Sequence, residues 1–230
     1  MNTRIALLLF SIFLWAQVNL AFGQKSYQFG ALPSINLNKK FKNNWSVNSK
    51  LESRYLFKRG LIEGNVTQSN QYVLSDLSFI AAKSVGLNSR IGGGYLLRFE
   101  DQSLTHRFIQ QFSIVQKFSG FRLAHRFLSD QTFSPTEKPT FRLRYRATSE
   151  IPLNGQAVDA GEFYLKFNNE YVNSLQENEY DLEIRLVPLI GLDISKEFKI
   201  ETGLDYRVNS FIKGNRRDNY WMSINFFIEI

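Results

Sequence analysis

The sequence predicts an all-β chain, closed as an antiparallel up-and-down transmembrane β-barrel of ten to twelve strands. Three observations predict it. Segments of alternating apolar and polar residues recur along the chain, the period-2 signature of strands whose two faces meet different surroundings. Most of these segments run about 10 to 14 residues, long enough to cross a bilayer when tilted about 45°, whereas strands of soluble sandwiches are nearer 5 to 6. Finally, the polar parity is rich in arginine while the other is nearly all apolar.

The N-terminus predicts export. Met1-Asn2-Thr3-Arg4 is a short positive region, Ile5 to Ala16 is an almost unbroken apolar run, and Ala21-Phe22-Gly23 offers small residues for a signal peptidase. Residues 1–23 are therefore expected to be a signal peptide cleaved near Gly23/Gln24, leaving 24–230 as the barrel domain. The apolar run falls short of the roughly 20 residues of a membrane-spanning helix, and no later run of that kind follows. Absence of cysteine excludes disulfides, thiolate metal sites and a cysteine nucleophile. The formal charge of +7 would suit nucleic acid, but the basic residues are spread singly along the strands rather than in blocks, so no nucleic-acid partner is expected.

The elements follow in order. Tyr27–Lys39 is a weak opening strand. Trp45–Phe57 sets Trp45, Val47, Leu51, Tyr55 and Phe57 against Ser46, Asn48, Lys50, Glu52 and Arg54. Gln71–Lys83 alternates weakly. Ser89–Glu100 opposes Ile91, Tyr95, Leu97 and Phe99 to Arg90, Arg98 and Glu100, with Gly92-Gly93-Gly94 read as a bend or small-residue wall. Leu104–Phe118 and Phe121–Phe133 form a hairpin about Ser119-Gly120. Phe141–Ile151 alternates Phe141, Leu143, Tyr145 and Ala147 with Arg142, Arg144, Arg146 and Thr148. Phe163–Tyr171, Tyr180–Leu186 and Phe198–Val208 continue the pattern. Tyr220–Ile230 closes it, with Tyr220, Met222, Ile224, Phe226 and Ile228 on the apolar parity.

Short connectors (40–44, 85–88, 119–120, 195–197) interleave with longer or more polar ones (58–70, 134–138, 172–179, 212–219), as periplasmic turns interleave with outer loops; two fit less well, 101–103 being short for an outer loop and 152–162 long for a turn. That order puts the C-terminus on the periplasmic side. The candidate strands number eleven, but bacterial single-chain barrels have an even count, so twelve is favoured.

The arginines give the register an energetic test. An Arg or Lys facing lipid near the midplane costs roughly 2–4 kcal/mol. Arg54, Arg98, Arg122, Arg126, Arg142, Arg144, Arg146, Arg185 and Arg207 all fall on the polar parity, so a slip of one residue would expose them together. Hairpin pairing places Asp130 near Arg142, Glu150 near Arg122 and Glu170 near Arg144. Arg122, Arg126, Asp130, Arg142, Arg144, Arg146, Glu150 and Glu170 thus form a candidate ligand-binding cluster in a lumen expected to be largely filled by side chains. The bland alternative is that these charges only satisfy one another. Aromatics near strand ends, including Trp45, Tyr55, Phe118, Phe121, Phe133, Tyr171 and Tyr220, suit two interfacial girdles.

Catalytic signals are weak. The two histidines, His106 and His125, each precede Arg-Phe and share the apolar parity, far apart and without a Ser or Asp partner. Asp76, Asp205 and Glu201 read as lumen carboxylates. No phosphate loop, zinc spacing or calcium loop is present, so no catalytic residue, metal or cofactor is expected.

Several short motifs carry a resemblance: Lys50-Leu51-Glu52-Ser53-Arg54-Tyr55, Gly94-Tyr95, Thr105-His106-Arg107-Phe108, Ala124-His125-Arg126-Phe127, Phe141-Arg142-Leu143-Arg144-Tyr145-Arg146, Asn169-Glu170 and Leu204-Asp205-Tyr206-Arg207. Through them nearly the whole mature chain resembles the outer-membrane β-barrel family called "domain of unknown function 2490", frequent in Gram-negative bacteria of the Bacteroidetes type. The resemblance implies fold and location and supplies no activity. The expectation is an integral outer-membrane barrel, not an enzyme, with a structural, envelope-maintenance or narrow-transport role. Its partners would be outer-membrane lipid and the barrel-assembly machinery, the latter through Tyr220–Ile230. The alternatives are a barrel enzyme acting on lipid or peptide, and a soluble exported β-sandwich binding an anionic ligand.

Overall fold

The alternating segments become eleven strands: β1 (Ser26–Lys40), β2 (Trp45–Leu61), β3 (Val66–Ser84), β4 (Ser89–Glu100), β5 (Ser103–Phe118), β6 (Phe121–Phe133), β7 (Thr140–Pro152), β8 (Glu162–Gln176), β9 (Glu179–Ser195), β10 (Phe198–Asn209) and β11 (Arg217–Glu229). The structure is a computed structural model that describes residues 26–230 except Glu63, Gln102 and Asn215. The expected signal peptide, 1–23, lies outside the described residues.

The strands close into a barrel in sequence order. Consecutive strands pair antiparallel, but β1 and β11 pair parallel, with Ser26 opposite Arg217 and Asn38 opposite Glu229. Eleven lies within the expected ten to twelve. The preference for twelve, and for antiparallel pairing throughout, gives way at this one seam. The reason is geometric: in an up-and-down sheet with an odd number of strands, the first and last run the same way. Closure also excludes the β-sandwich alternative, because every strand has two hydrogen-bonded neighbours. A further consequence is that Ser26 and Ile230 lie at opposite ends, here called the amino end and the carboxyl end.

Two connectors expected to be long loops are mostly strand. β2 continues to Leu61 and β3 starts at Val66, while β8 and β9 are joined by Glu177-Asn178 alone. Their polar composition resembled loops, but polar residues carry a ladder equally well where a hairpin projects beyond an apolar band. Connector length therefore does not distinguish the two ends, and the nine-residue connector 153–161 lies at the carboxyl end among the turns expected to be short. β9 also runs past Leu186, where the alternation is interrupted by Pro188. The missing N–H falls where the ladder to β10 is broken, between Leu186↔Tyr206 and Leu189↔Gly203, while the ladder to β8 continues through Pro188↔Phe167. Pro33 sits in a comparable gap facing β2, between Ala31↔Tyr55 and Ser34↔Glu52.

The two parities separate as the sequence requires. Ile35, Leu51, Ile91, Leu143, Leu165, Ile190, Met222 and Ile224 are exposed on the outer face. The inner face holds two apolar clusters, Leu32–Leu56–Trp221 with Val73 against it, and Leu96–Ile109–Leu128. Inward glycines make room for the largest rings. A Cβ on Gly30 would meet Trp221 Cζ3 at 2.7 Å, and one on Gly191 would fall inside the ring of Tyr164.

Candidate functional site in the barrel lumen

Residues two apart on a strand share a face, so β6 aims Arg122, Arg126 and Asp130 inward and β7 aims Arg142, Arg144, Arg146 and Glu150. Register then sets Asp130 opposite Arg142, Arg126 opposite Arg146, and Arg122 opposite Glu150. On the next hairpin Glu170 lies between Arg146 of β7 and Arg185 of β9.

Two buried carboxylates organise this wall. Asp130, fully buried, accepts from Arg142 Nε at 2.7 Å, and Arg107 and Arg144 approach it at 3.6 Å. Glu170, 1% exposed, meets four guanidiniums: Arg144 and Arg146 at 3.0 Å, Arg185 at 3.2 Å and Arg126 at 3.3 Å. Other lumen charges form smaller groups. Glu183 accepts from Arg185 Nε at 2.6 Å, and Glu52 meets Lys50 at 2.6 Å and Arg54 at 3.6 Å. Arg98 grips Asp76 through two bonds of 2.8 and 2.7 Å, and Arg207 grips Asp205 through two of 2.8 Å. Such bidentate pairs satisfy their carboxylates fully.

All three expected pairs are present. Arg142–Asp130 and Arg122–Glu150 (3.5 Å) are directly opposed, whereas Glu170 contacts Arg144 but directly opposes Arg146. The structure gathers Arg126, Asp130, Arg142, Arg144, Arg146 and Glu170 into one cluster. Arg122 and Glu150 stand apart toward the carboxyl end, with the Arg122 side chain half exposed. Sequence pairing missed two members, Arg107 and Arg185. Arg107 carried a signal, since it flanks His106 on the opposite parity. Arg185 falls on the polar parity, but its partner is not legible in sequence, because the polar composition of 172–179 predicts a loop where the structure has the ladder that links β8 to β9.

The wall is over-supplied with positive charge. Arg126 and Arg146 are directly opposed across strands, and so are Arg185 and Arg207. Like charges in that position are destabilising. The Nε atoms of Arg54, Arg144 and Arg146 are buried without a partner. These side chains border a lumen cavity of about 890 Å³, within the range of ligand sites. Thirteen basic side chains line it against six acidic ones; Asp130 and Glu170 behind the wall bring the acids to eight.

A smaller cavity of about 240 Å³ lies toward the carboxyl end and shares Arg126, Arg146, Lys166 and Asn168 with the larger one. Nearby, Lys166 and the Tyr164 hydroxyl both donate to Glu201, at 2.7 and 2.8 Å, and Lys166 Nζ sits 5.5 Å from the Phe227 ring centroid.

The histidines belong to the outer face. His125 Nδ1 and the Tyr145 hydroxyl are 2.9 Å apart, and His106 pairs likewise with Tyr95. At the amino-end rim Lys213 donates to Glu179 at 2.5 Å, which holds the Glu179 carboxyl below its ordinary range and the Lys213 ammonium above its own.

Residues 29–218, from β1 to the start of β11, match the family described as "Protein of unknown function (DUF2490)". The chain belongs to DUF2490. The match includes every residue of the arginine wall. No curated protein and no solved structure matches the chain.

Proposed function

We propose that this DUF2490 barrel is an integral outer-membrane protein of a Gram-negative envelope, not an enzyme, and that its lumen is a narrow passage for small anions. The observation that carries the proposal is the charge imbalance of the lumen wall. Three carboxylates, Asp130, Glu170 and Glu183, serve six arginines, namely Arg107, Arg126, Arg142, Arg144, Arg146 and Arg185, the last held by Glu183 at 2.6 Å as well as by Glu170. A wall needed only for closure would match base with acid one to one, as Arg98–Asp76 and Arg207–Asp205 do. An excess of guanidinium beside a cavity of restricted dielectric attracts counter-anions and raises their local concentration.

The outer face supports membrane insertion. Its apolar side chains are exposed around the barrel, and at the carboxyl-end rim Lys39 and Lys83 lie over Phe41 and Trp45, at 5.9 and 5.7 Å. Amphipathic rings capped by lysine suit a membrane–water interface. Outer-membrane lipid is then the partner of this face, and Tyr220–Ile230 is the segment offered to the assembly machinery. A non-enzymatic role fits because Asp76, Asp205 and Glu201 are all engaged by basic or phenolic partners, and each histidine is paired with a tyrosine, His106 with Tyr95 and His125 with Tyr145.

Gel migration with and without boiling tests the membrane barrel: a heat-dependent shift of detergent-solubilised protein is expected, and full solubility without detergent contradicts it. Conductance in planar bilayers tests the passage. Small, discrete current steps are expected, and silence from folded, inserted protein contradicts it.

A further inference from the structure

The larger and smaller lumen cavities meet at the same four side chains, Arg126, Arg146, Lys166 and Asn168, which therefore form the partition between them. Each has donors to spare. Arg126 and Arg146 each give Glu170 a single hydrogen bond, from NH2, at 3.3 and 3.0 Å, and Arg146 Nε is buried without a partner. A guanidinium has five N–H donors, so most of theirs remain uncommitted. Asn168 borders both cavities and accepts from the Thr148 hydroxyl at 2.7 Å through its carbonyl oxygen, which leaves its amide group as a donor. Lys166 is anchored by one bond to Glu201 and keeps two further donors.

The neighbouring acids cancel this charge only in part. Glu170 accepts from Arg126 and Arg146 but is shared with Arg144 and Arg185, Glu201 accepts from Lys166, and Glu150 is paired with Arg122 at 3.5 Å. Two arginines held directly opposite one another, a third cation and an amide donor form a set with more donors than acceptors.

We infer that Arg126, Arg146, Lys166 and Asn168 form a binding site for a compact oxyanion carrying two or more charges, of the phosphate or pyrophosphate type, seated where the two cavities meet. Planar guanidiniums match the paired oxygens of such a group, and two of them with a lysine discriminate it from a monovalent, spherical chloride. The site rests on the anion-passage reading and names its selective step: an ion crossing from one cavity to the other must pass these four donors.

Titration of folded, detergent-solubilised protein with inorganic pyrophosphate, followed by calorimetry, tests the site without requiring conductance. Saturable binding is expected, weakened about tenfold or more in the Arg126→Gln/Arg146→Gln double variant. Lys213→Gln, which removes one positive charge at the amino-end rim and lines neither cavity, should bind as the wild type does. Heat-dependent gel migration of each variant confirms folding. Absence of saturable binding by the wild type overturns the site, as does unchanged affinity in the folded double variant or an equal loss in Lys213→Gln. If the double variant does not fold, Asn168→Leu replaces it, and unchanged affinity there overturns the site in the same way. Binding by a protein that conducts no current would retain the site and remove the passage.

Discussion

The β1–β11 seam and the β5–β9 wall enclose one lumen by opposite means. Along most of its length the seam faces inward with uncharged residues: Gln28, Gly30, Leu32, Ser34 and Asn36 on β1, and Asn219, Trp221, Ser223, Asn225 and Phe227 on β11; charge stands only at its ends, as Arg217 at the amino end and the Lys40–Glu229 ion pair (2.7 Å) at the carboxyl end. Between those ends its fastenings are neutral and local, such as Ser34 to Asn225 at 2.7 Å and Asn36 to the Phe226 carbonyl at 3.3 Å. The wall instead gathers six arginines on three carboxylates, Asp130, Glu170 and Glu183, and sets Arg126 against Arg146. The middle of the seam shows that strands of this barrel pair without charge. Closure therefore does not require the charge on the wall, and the proposed anion passage rests on its excess over acid.

Mutations separate the two regions. Glu170→Gln should have the largest effect, because it leaves four guanidiniums around a neutral amide; removing one partner of a buried ionic cluster costs about 3–5 kcal/mol. Urea unfolding of the detergent-folded barrel reads that loss, and an unchanged midpoint would show the cluster to be dispensable. Trp221→Ala in the seam should cost about 3 kcal/mol by emptying the space over Gly30 and beside Leu32 and Leu56, with ion selectivity retained. Ser34→Ala should cost about 1–2 kcal/mol by the same assay, since it removes two neutral hydrogen bonds, one donated to Asn225 and one accepted from Asn36. Arg146→Gln should change stability least, within about 0.5 kcal/mol, because losing a bond to Glu170 is offset by relief of the pair with Arg126. The comparison would fail if Arg146→Gln destabilised the barrel as much as Glu170→Gln does.

Much of this contrast was legible in the sequence. Period-2 alternation assigned nearly every arginine to the correct face, because a side chain's face depends only on parity, which survives errors in strand ends. Pairings about connectors with well-marked ends, such as Asp130 with Arg142 about the 134–139 connector, follow from the same parity. What escaped was anything dependent on an uncertain strand end. Arg185 could not be matched to Glu170 while 172–179 counted as a loop, and the strand count was biased to twelve by a rule that a single parallel pair evades. The partition between the cavities was not legible, since Lys166 reaches from β8 toward Glu201 of β10 and Phe227 of β11, contacts that no hairpin register predicts.

The most direct test of the anion passage is the reversal potential across a planar bilayer bearing the protein in a KCl gradient. The lumen described here predicts a potential of the sign set by chloride, moving toward zero in the Arg126→Gln/Arg146→Gln variant. A potential set by potassium, or one identical in wild type and variant, would contradict it.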